Sequence, residues 1–425
     1  MDRMRRWLVM TLLCFSGGII FMLPFLREVY YIPMQQAFGY DNTQMGVLIS
    51  LFGAASLLTY FPGGWLADRY SPRKLITLAL IGVGIGGWYF SSFPSYRISI
   101  LIHIFWGVCI SLVFWSAMIK ATRNWAPANE QGRAFGILES GRGVSELLSS
   151  SLFLLIFAWL GSQAEALSQV IQLFSVCNIV LAVVAWFILD DTIDSADESG
   201  EKVGMQEVIS VLKMPAVWLI SIIVLTSYSA YWGSYYFAPY ATDVYSLSVV
   251  LGATVAVGKM WLKPIAAVSA GFIADRAGVA RTVFFFYLVM TACFVVFALL
   301  PGGEAYLVIM LVNATIVSLA IFALRGIYFA LLDEGGVAPA VTGTAVGVIS
   351  AIGFTPDVFM PLLGGVLLDR YPGAEGYRYF YLVIAVMCLV GTLAAFLMMR
   401  MAARTKSSAE SATKPVDRAE GEANV

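Results

Sequence analysis

Across 425 residues the chain is 60% hydrophobic and 12% charged, with a formal net charge of -1 and a mean hydropathy of +0.81. That balance excludes a soluble globular domain and a binder of nucleic acid or other polyanions. The five cysteines stand singly in apolar runs and His103 is the one histidine, so neither a metal cluster nor a Ser/His/Asp hydrolase is expected, and no cofactor is implied.

The chain opens with the basic hexapeptide MDRMRR. The apolar run after it is too long for the core of a signal peptide and lacks a small-residue cleavage site, so it reads as a retained first span. A bilayer core of ~30 Å needs about 20 helical residues. Twelve apolar runs of that order follow one another, at 7–36, 43–66, 75–93, 98–121, 133–160, 167–189, 216–240, 248–273, 282–300, 305–331, 342–368 and 378–400. With the N-terminus inside, basic clusters at 3–6, 69–74, 123–133, 202–213, 276–281 and 400–418 fall on the cytoplasmic side, against Arg97, Arg370 and Arg378 opposite. The expectation is an all-α integral membrane protein of the plasma or bacterial inner membrane, with both termini cytoplasmic.

The acidic stretch 190–207 is the long polar interruption. It divides the chain into an N-terminal six-helix bundle at 1–189, a cytoplasmic linker at 190–213 and a C-terminal six-helix bundle at 214–401. The tail at 402–425 has no apolar periodicity and reads as disordered. The halves echo each other: GGWLADRYSPRK at Gly63–Lys74 recurs as AGFIADRAGVAR at Ala270–Arg281, and GRAFG at Gly132–Gly136 as GTAVG at Gly343–Gly347. Carried on without gaps, the second match sets Glu146 opposite Asp357. Two related six-span halves are the architecture in which a midplane site lies between repeats that rock around it.

The stretch GRAFGILESGRGVSE places Glu139, Arg142 and Glu146 in an otherwise apolar run. A charge at bilayer depth costs about 2.5–3.5 kcal/mol on insertion scales. Spacings of three and four put all three on one helix face, which is expected to turn from lipid and line a solute path. Arg27, Glu28, Lys120, Lys259, Lys263, Arg325 and Asp357 also lie in or beside spans. The cationic excess suits an anion, whose oxygens match the planar fork of arginine in pairs. Glu28, Glu139, Glu146 and Asp357 are the candidate proton carriers, because moving a carboxyl between an arginine and an apolar surround changes its proton affinity. His103 reads as a packed residue, with a proton relay as the alternative.

Gly-x-x-x-Asp-Arg followed by a basic cluster, after the second and again after the eighth run, closely resembles the signature of the major facilitator superfamily over all but the tail. The resemblance implies two pseudo-symmetric bundles closed on the inside by a latch, with Asp68, Arg69, Arg73, Lys120, Arg123, Asp275 and Arg276 as the gate. Ser71-Pro72 stand where that signature often has glycine. FLREVYYIPMQQAFGYDNTQMGVL (Phe25–Leu48) and WSAMIKATRNWAPANEQGR (Trp115–Arg133) are similar to the sugar-phosphate permease and organophosphate:phosphate antiporter branch. That likeness places Arg27 on an arginine that binds substrate phosphate, and Arg142 on a site histidine of the glycerol-phosphate type, as a partner to Arg27. The branch's second arginine is missing from SYSAYWGSYYFAPYATD (Ser227–Asp243), where Gly233 is the nearest equivalent of Arg27.

The expected binding set is Arg27, Arg142, Lys259 and Arg325 with Tyr31, Trp232 and Tyr235, aromatics that stack on sugar faces while offering a polar edge. The implied function is a secondary active transporter of a small hydrophilic organic anion, a sugar phosphate, sugar acid or sulfonated sugar. Protons or a counter-anion would drive it by symport or antiport, and the protein would act as a monomer in the bilayer. A non-transporting membrane sensor and an exporter of amphipathic compounds are the alternatives. An enzyme is not expected, since no nucleophile-base pair or phosphate-cradling loop is legible.

Overall fold

The computed structural model describes residues 3–125, 131–190, 205–338 and 341–412, which are helical with no strand among them. The first half runs α1 (Arg3–Ile19), α2 (Arg27–Phe38), α3 (Asn42–Arg69), α4 (Pro72–Phe90), α5 (Tyr96–Val108), a π-helical segment Cys109–Trp115, α6 (Ser116–Trp125), α7 (Gln131–Trp159) and α8 (Ala164–Ile188). After α9 (Met205–Leu212), the second half runs α10 (Pro215–Ser234), α11 (Phe237–Tyr245), α12 (Val249–Ala277), α13 (Val279–Leu299) and α14 (Leu307–Ile327). It ends with α15 (Leu331–Glu334), α16 (Thr342–Gly353), α17 (Pro356–Arg370) and α18 (Ala374–Ala412).

Ten helical stretches among the described residues are long and apolar enough to cross a membrane. Two of the runs expected from sequence fall outside that set. The 7–36 run is divided by a break at 20–26 between α1 and α2, and α4 opens with Arg73 and Lys74. The helix starts follow local chemistry. Asp41 accepts from the Gln44 amide while the Gln44 side chain accepts from the Asp41 amide, a capping box that begins α3. Ser71 and Pro72 begin α4: Ser71 Oγ accepts from the Lys74 amide at 3.5 Å and Pro72 takes the first helical position.

The first run of each half is broken, at 20–26 and at 235–236. The eleventh is broken as well, since α17 restarts at Pro356, which favours a first helical turn. The echo between 132–136 and 343–347 therefore does not carry into matching geometry. Glu146 lies inside unbroken α7, whereas Asp357 lies in the first turn of α17. Within the expected linker 190–213, α9 is helical, and α18 runs on into the expected tail as far as Ala412, through alanines and other residues that a helix tolerates. Residues 191–204 and 413–425 lie outside the described residues.

The halves meet most closely where α3 crosses α17. A Cβ on Gly46 would stand 2.9 Å from the Pro361 carbonyl carbon, and one on Gly53 2.8 Å from the Asp357 carbonyl oxygen. Small residues allow backbones to approach in a membrane bundle. Farther along α3 the close partner changes, because a Cβ on Gly63 would stand 2.7 Å from the Ser111 carbonyl oxygen of the first half. The two halves are thus clamped together at the Asn42 end of α3, and this clamp positions the candidate site.

Candidate functional site

Arg27 opens α2, just past the break in the first run, and is 1% exposed. Its Nη1 donates to the Met45 carbonyl oxygen at 3.1 Å. The guanidinium lies over the rings of Tyr31 (4.9 Å) and Tyr236 (5.0 Å), one from each half. Ring faces attract a cation but accept no conventional hydrogen bond. Its Nε and Nη2 are buried without a hydrogen-bond partner, and no carboxylate pairs with it among the described residues. An arginine in this state is an anion site in waiting, since a buried charge is costly unless it is paired and hydrogen-bonded.

The next residue, Glu28, is 3% exposed and pairs with Lys259 of α12 at 2.7 Å, from one half to the other. Lys259 Nζ also donates to the Ser234 carbonyl oxygen (2.8 Å) and Ser234 Oγ (2.9 Å). An ammonium has three donors. All three are occupied, so Lys259, expected to bind substrate, is committed within the protein.

The expected aromatics gather around these charges. Trp232 lies 4.5 Å from Tyr235 by ring centroids, and Phe25 of the first half stands 6.2 and 6.1 Å from the two of them. Trp232 Nε1 donates to Asp357 Oδ1 at 2.9 Å. Tyr31 Oη donates to Asn42 Oδ1 at 2.8 Å. Gly233 points elsewhere: a Cβ there would meet Ile384 Cδ1 at 2.7 Å and Phe294 Cε1 at 2.9 Å. The span-seven position aligned with Arg27 is thus packed against α13 and α18. Instead Arg325 of α14 stacks on the α10 tyrosines, 3.8 Å from Tyr231 and 5.1 Å from Tyr228, with Nη1 buried and unpartnered among the described residues.

The expected partnership of Arg142 with Arg27 is corrected. Arg142 Nε donates to the Gly17 carbonyl oxygen at 3.1 Å, Nη1 pairs with Glu139 at 2.6 Å, and the guanidinium faces Trp115 at 5.0 Å. These neighbours belong to α1, α7 and the π-helical segment, and none of them touches Arg27. Arg142 meets the first run at Gly17, on the α1 side of the break at 20–26, whereas Arg27 lies on its α2 side. Glu139 is solvent-exposed, and Glu146 is 3.4 Å from Lys263 of α12. Among the described residues, six of the membrane-depth charges are paired two by two, while Arg27 and Arg325 have no ion-pair partner there. His103 is packed, its Nδ1 2.8 Å from the Ser99 carbonyl oxygen beside Trp106 and Phe90.

The gate residues are dispersed. Arg69 lies over Trp65 at 3.9 Å, Arg73 over Trp186 at 4.1 Å, and Lys120 Nζ donates to the Ala67 carbonyl oxygen at 2.9 Å. Arg123, Asp275 and Arg276 are exposed. The Asp68 side chain lies outside the described residues. The start of α13, just after Asp275 and Arg276, is capped by Glu334, which accepts from the amides of Val279 (2.7 Å) and Ala280 (2.8 Å). Gly278, at φ 88°, turns the start of α13 toward α15, so the acid comes from there.

At the opposite end, Asp369 of α17 accepts from four donors of α3. They are the Asn42 amide (3.1 Å) and Nδ2 (2.8 Å), and the Thr43 amide (2.6 Å) and Oγ1 (2.5 Å). An acid from one half thereby caps a helix of the other. Sequence reading missed it, because Asp369 resembles any loop charge beside Arg370.

Residues 7–355 match the Major Facilitator Superfamily profile. The chain is 27% identical over 410 residues to the inner membrane protein YihN of Escherichia coli (strain K12), covering 95% of this chain and 97% of the relative. It is 24% identical over 318 residues to the probable nitrate/nitrite antiporter NarK1 of Thermus thermophilus, covering 72% and 69%. Its fold matches a bacterial homologue of the human lysosomal transporter Spinster in an inward-facing, unoccupied conformation, with TM-score 0.76, 16% identity and 95% and 98% coverage. With its profile match, its all-helical fold and paired halves, the chain belongs to the major facilitator superfamily.

Proposed function

We propose that this protein is a secondary transporter of a small hydrophilic organic anion across the inner membrane, working by alternating access between its halves. The observation that carries the reading is Arg27: a buried guanidinium with two unpartnered nitrogens, between a tyrosine of each half and without a carboxylate. A sugar phosphate, a sugar acid or a sulfonated sugar offers the paired oxygens that a guanidinium accepts, with a polar body for the surrounding tyrosines and Trp232. A relative named as a probable nitrate/nitrite antiporter agrees with anionic cargo. With both termini cytoplasmic, the Asn42 end of α3 faces outward, and the α3–α17 clamp makes this an outward-closed state. Arg325, stacked beside the α10 aromatics, is the second cation of the path. Glu146 and Asp357 are the carboxylates best placed to link protons to transport.

The test is a thermal-shift screen of purified protein against sugar phosphates, hexonates, sulfonated sugars and inorganic phosphate, followed by counterflow in proteoliposomes. Binding of N only, with ligand at 100 times its Kd, adds about 2.7 kcal/mol to stability. The reading expects at least one of these anions to stabilise the wild type, and Arg27→Ala to abolish that stabilisation. Equal stabilisation of wild type and Arg27→Ala by every active anion refutes it.

A further inference from the structure

Arg27 and Glu28 are consecutive, both buried, and of opposite charge, yet they are not paired with each other. The carboxylate is drawn instead to Lys259, which reaches it from α12 of the other half at 2.7 Å. Lys259 is itself fixed by Ser234, at 2.8 Å to the carbonyl oxygen and 2.9 Å to the hydroxyl. Its ammonium rests 4.7 Å from the Tyr235 ring centroid. With its three donors used, Lys259 has none for a ligand. Its effect on the site is therefore exerted through Glu28.

We propose that Lys259 is a positioning residue for the anion site: by holding Glu28 it keeps that carboxylate from neutralising Arg27, and so leaves the Arg27 guanidinium open to cargo. The inference rests on the anion-binding reading of Arg27. A buried carboxylate deprived of its cation turns to the nearest available one, because leaving it unpaired is strongly unfavourable. On the adjacent residue stands a cation with unused donors, Arg27, whose Nε and Nη2 have no partner among the described residues. Without Lys259, Glu28 becomes an internal competitor of the transported anion. The pair also ties α2 to α12, so cargo selection and the contact between halves share one carboxylate.

The reasoning predicts opposite signs for the two partners, which a tie serving only to hold helices together does not. Full-length protein in detergent is titrated with glucose 6-phosphate, gluconate and a C6-sulfonated hexose, and melting without ligand is recorded separately. Lys259→Met is expected to weaken binding about tenfold or more, the cost of opposing a buried carboxylate. Lys259→Arg is expected to keep wild-type affinity. Glu28→Gln is expected to bind at least as tightly as wild type, since it removes the competitor while Lys259 keeps its Ser234 contacts. The double variant Glu28→Gln/Lys259→Met is expected to recover to within about threefold of wild type. If Lys259→Met does not fold, the double variant still decides the matter, because it removes both charges of the pair and strands neither: binding more than about threefold weaker than wild type overturns the inference. Weakened binding in Glu28→Gln, or a double variant as weak as Lys259→Met, overturns the inference. Failure of Arg27→Ala to weaken binding of any of the three anions overturns the anion-site reading instead, so the two failures are distinguishable.

Discussion

One carboxylate ties the halves at the Asn42 end of α3, and Asp369→Asn removes its charge with little change in shape. Asp369 accepts from Asn42 and Thr43 through two amides and two side chains. An N-cap is worth about 1 kcal/mol and a negative charge at a helix start roughly 0.3–1 kcal/mol more. Asp369 is exposed, so the lower part of that range applies, and asparagine retains one carbonyl acceptor. A loss of about 1 kcal/mol of outward closure shifts the population toward outward-open by roughly fivefold. Double electron-electron resonance between labels at exposed Gln36 and Arg370, in a background with the five cysteines replaced, reads that population directly. The long-distance fraction is expected to rise about fivefold. If the distances stay unchanged while the Asn42 and Thr43 amides exchange faster, Asp369 is a local cap with no hold on the halves, and the reasoning is refuted.

Four further outcomes follow from the same geometry. Tyr31→Phe removes one of two donors to Asn42 Oδ1, the other being Gln35 Nε2; all three residues belong to the first half, so the expected result is a loss of roughly 0.5–1.5 kcal/mol in stability with the label distances unchanged. Gly46→Ala sets a Cβ against the Pro361 carbonyl group and is expected to open the outer mouth without altering any charge; unchanged distances count against the α3–α17 clamp. Gly233→Arg, which restores the arginine of the similar branch, is expected to lower stability by about 1–3 kcal/mol through overpacking against Phe294 and Ile384, seen as a fall in Tm with no gain in anion binding. Asp357→Asn is expected to remove pH dependence from proteoliposome exchange if that carboxyl carries the proton, and an unaltered pH profile assigns the role elsewhere.

Much of the fold was legible because membrane insertion is read locally. Apolar runs of spanning length depend only on neighbours in the chain, and ten of them are long enough helices among the described residues. The expected inward turn of Glu139, Arg142 and Glu146 does not hold for all three, since Glu139 is exposed where it pairs with Arg142. What misled was extending a local likeness across space. The repeat suggested an Arg27 equivalent at Gly233, but that position faces Phe294 and Ile384. The likeness that made Arg142 a partner of Arg27 did not register the break at 20–26.

The sequence by itself determined a two-part helical membrane protein with an excess of cations at depth, because hydropathy, charge side and helix periodicity are summed over adjacent residues. Which of those cations is free was decided only by tertiary structure. Lys259 meets Glu28 and Lys263 meets Glu146 because α12 crosses into the first half, which leaves Arg27 between two tyrosines. Asp369 caps α3 from 327 residues away. An ion pair is set by distances of a few ångströms between helices remote in sequence, and no periodicity within either helix encodes that distance.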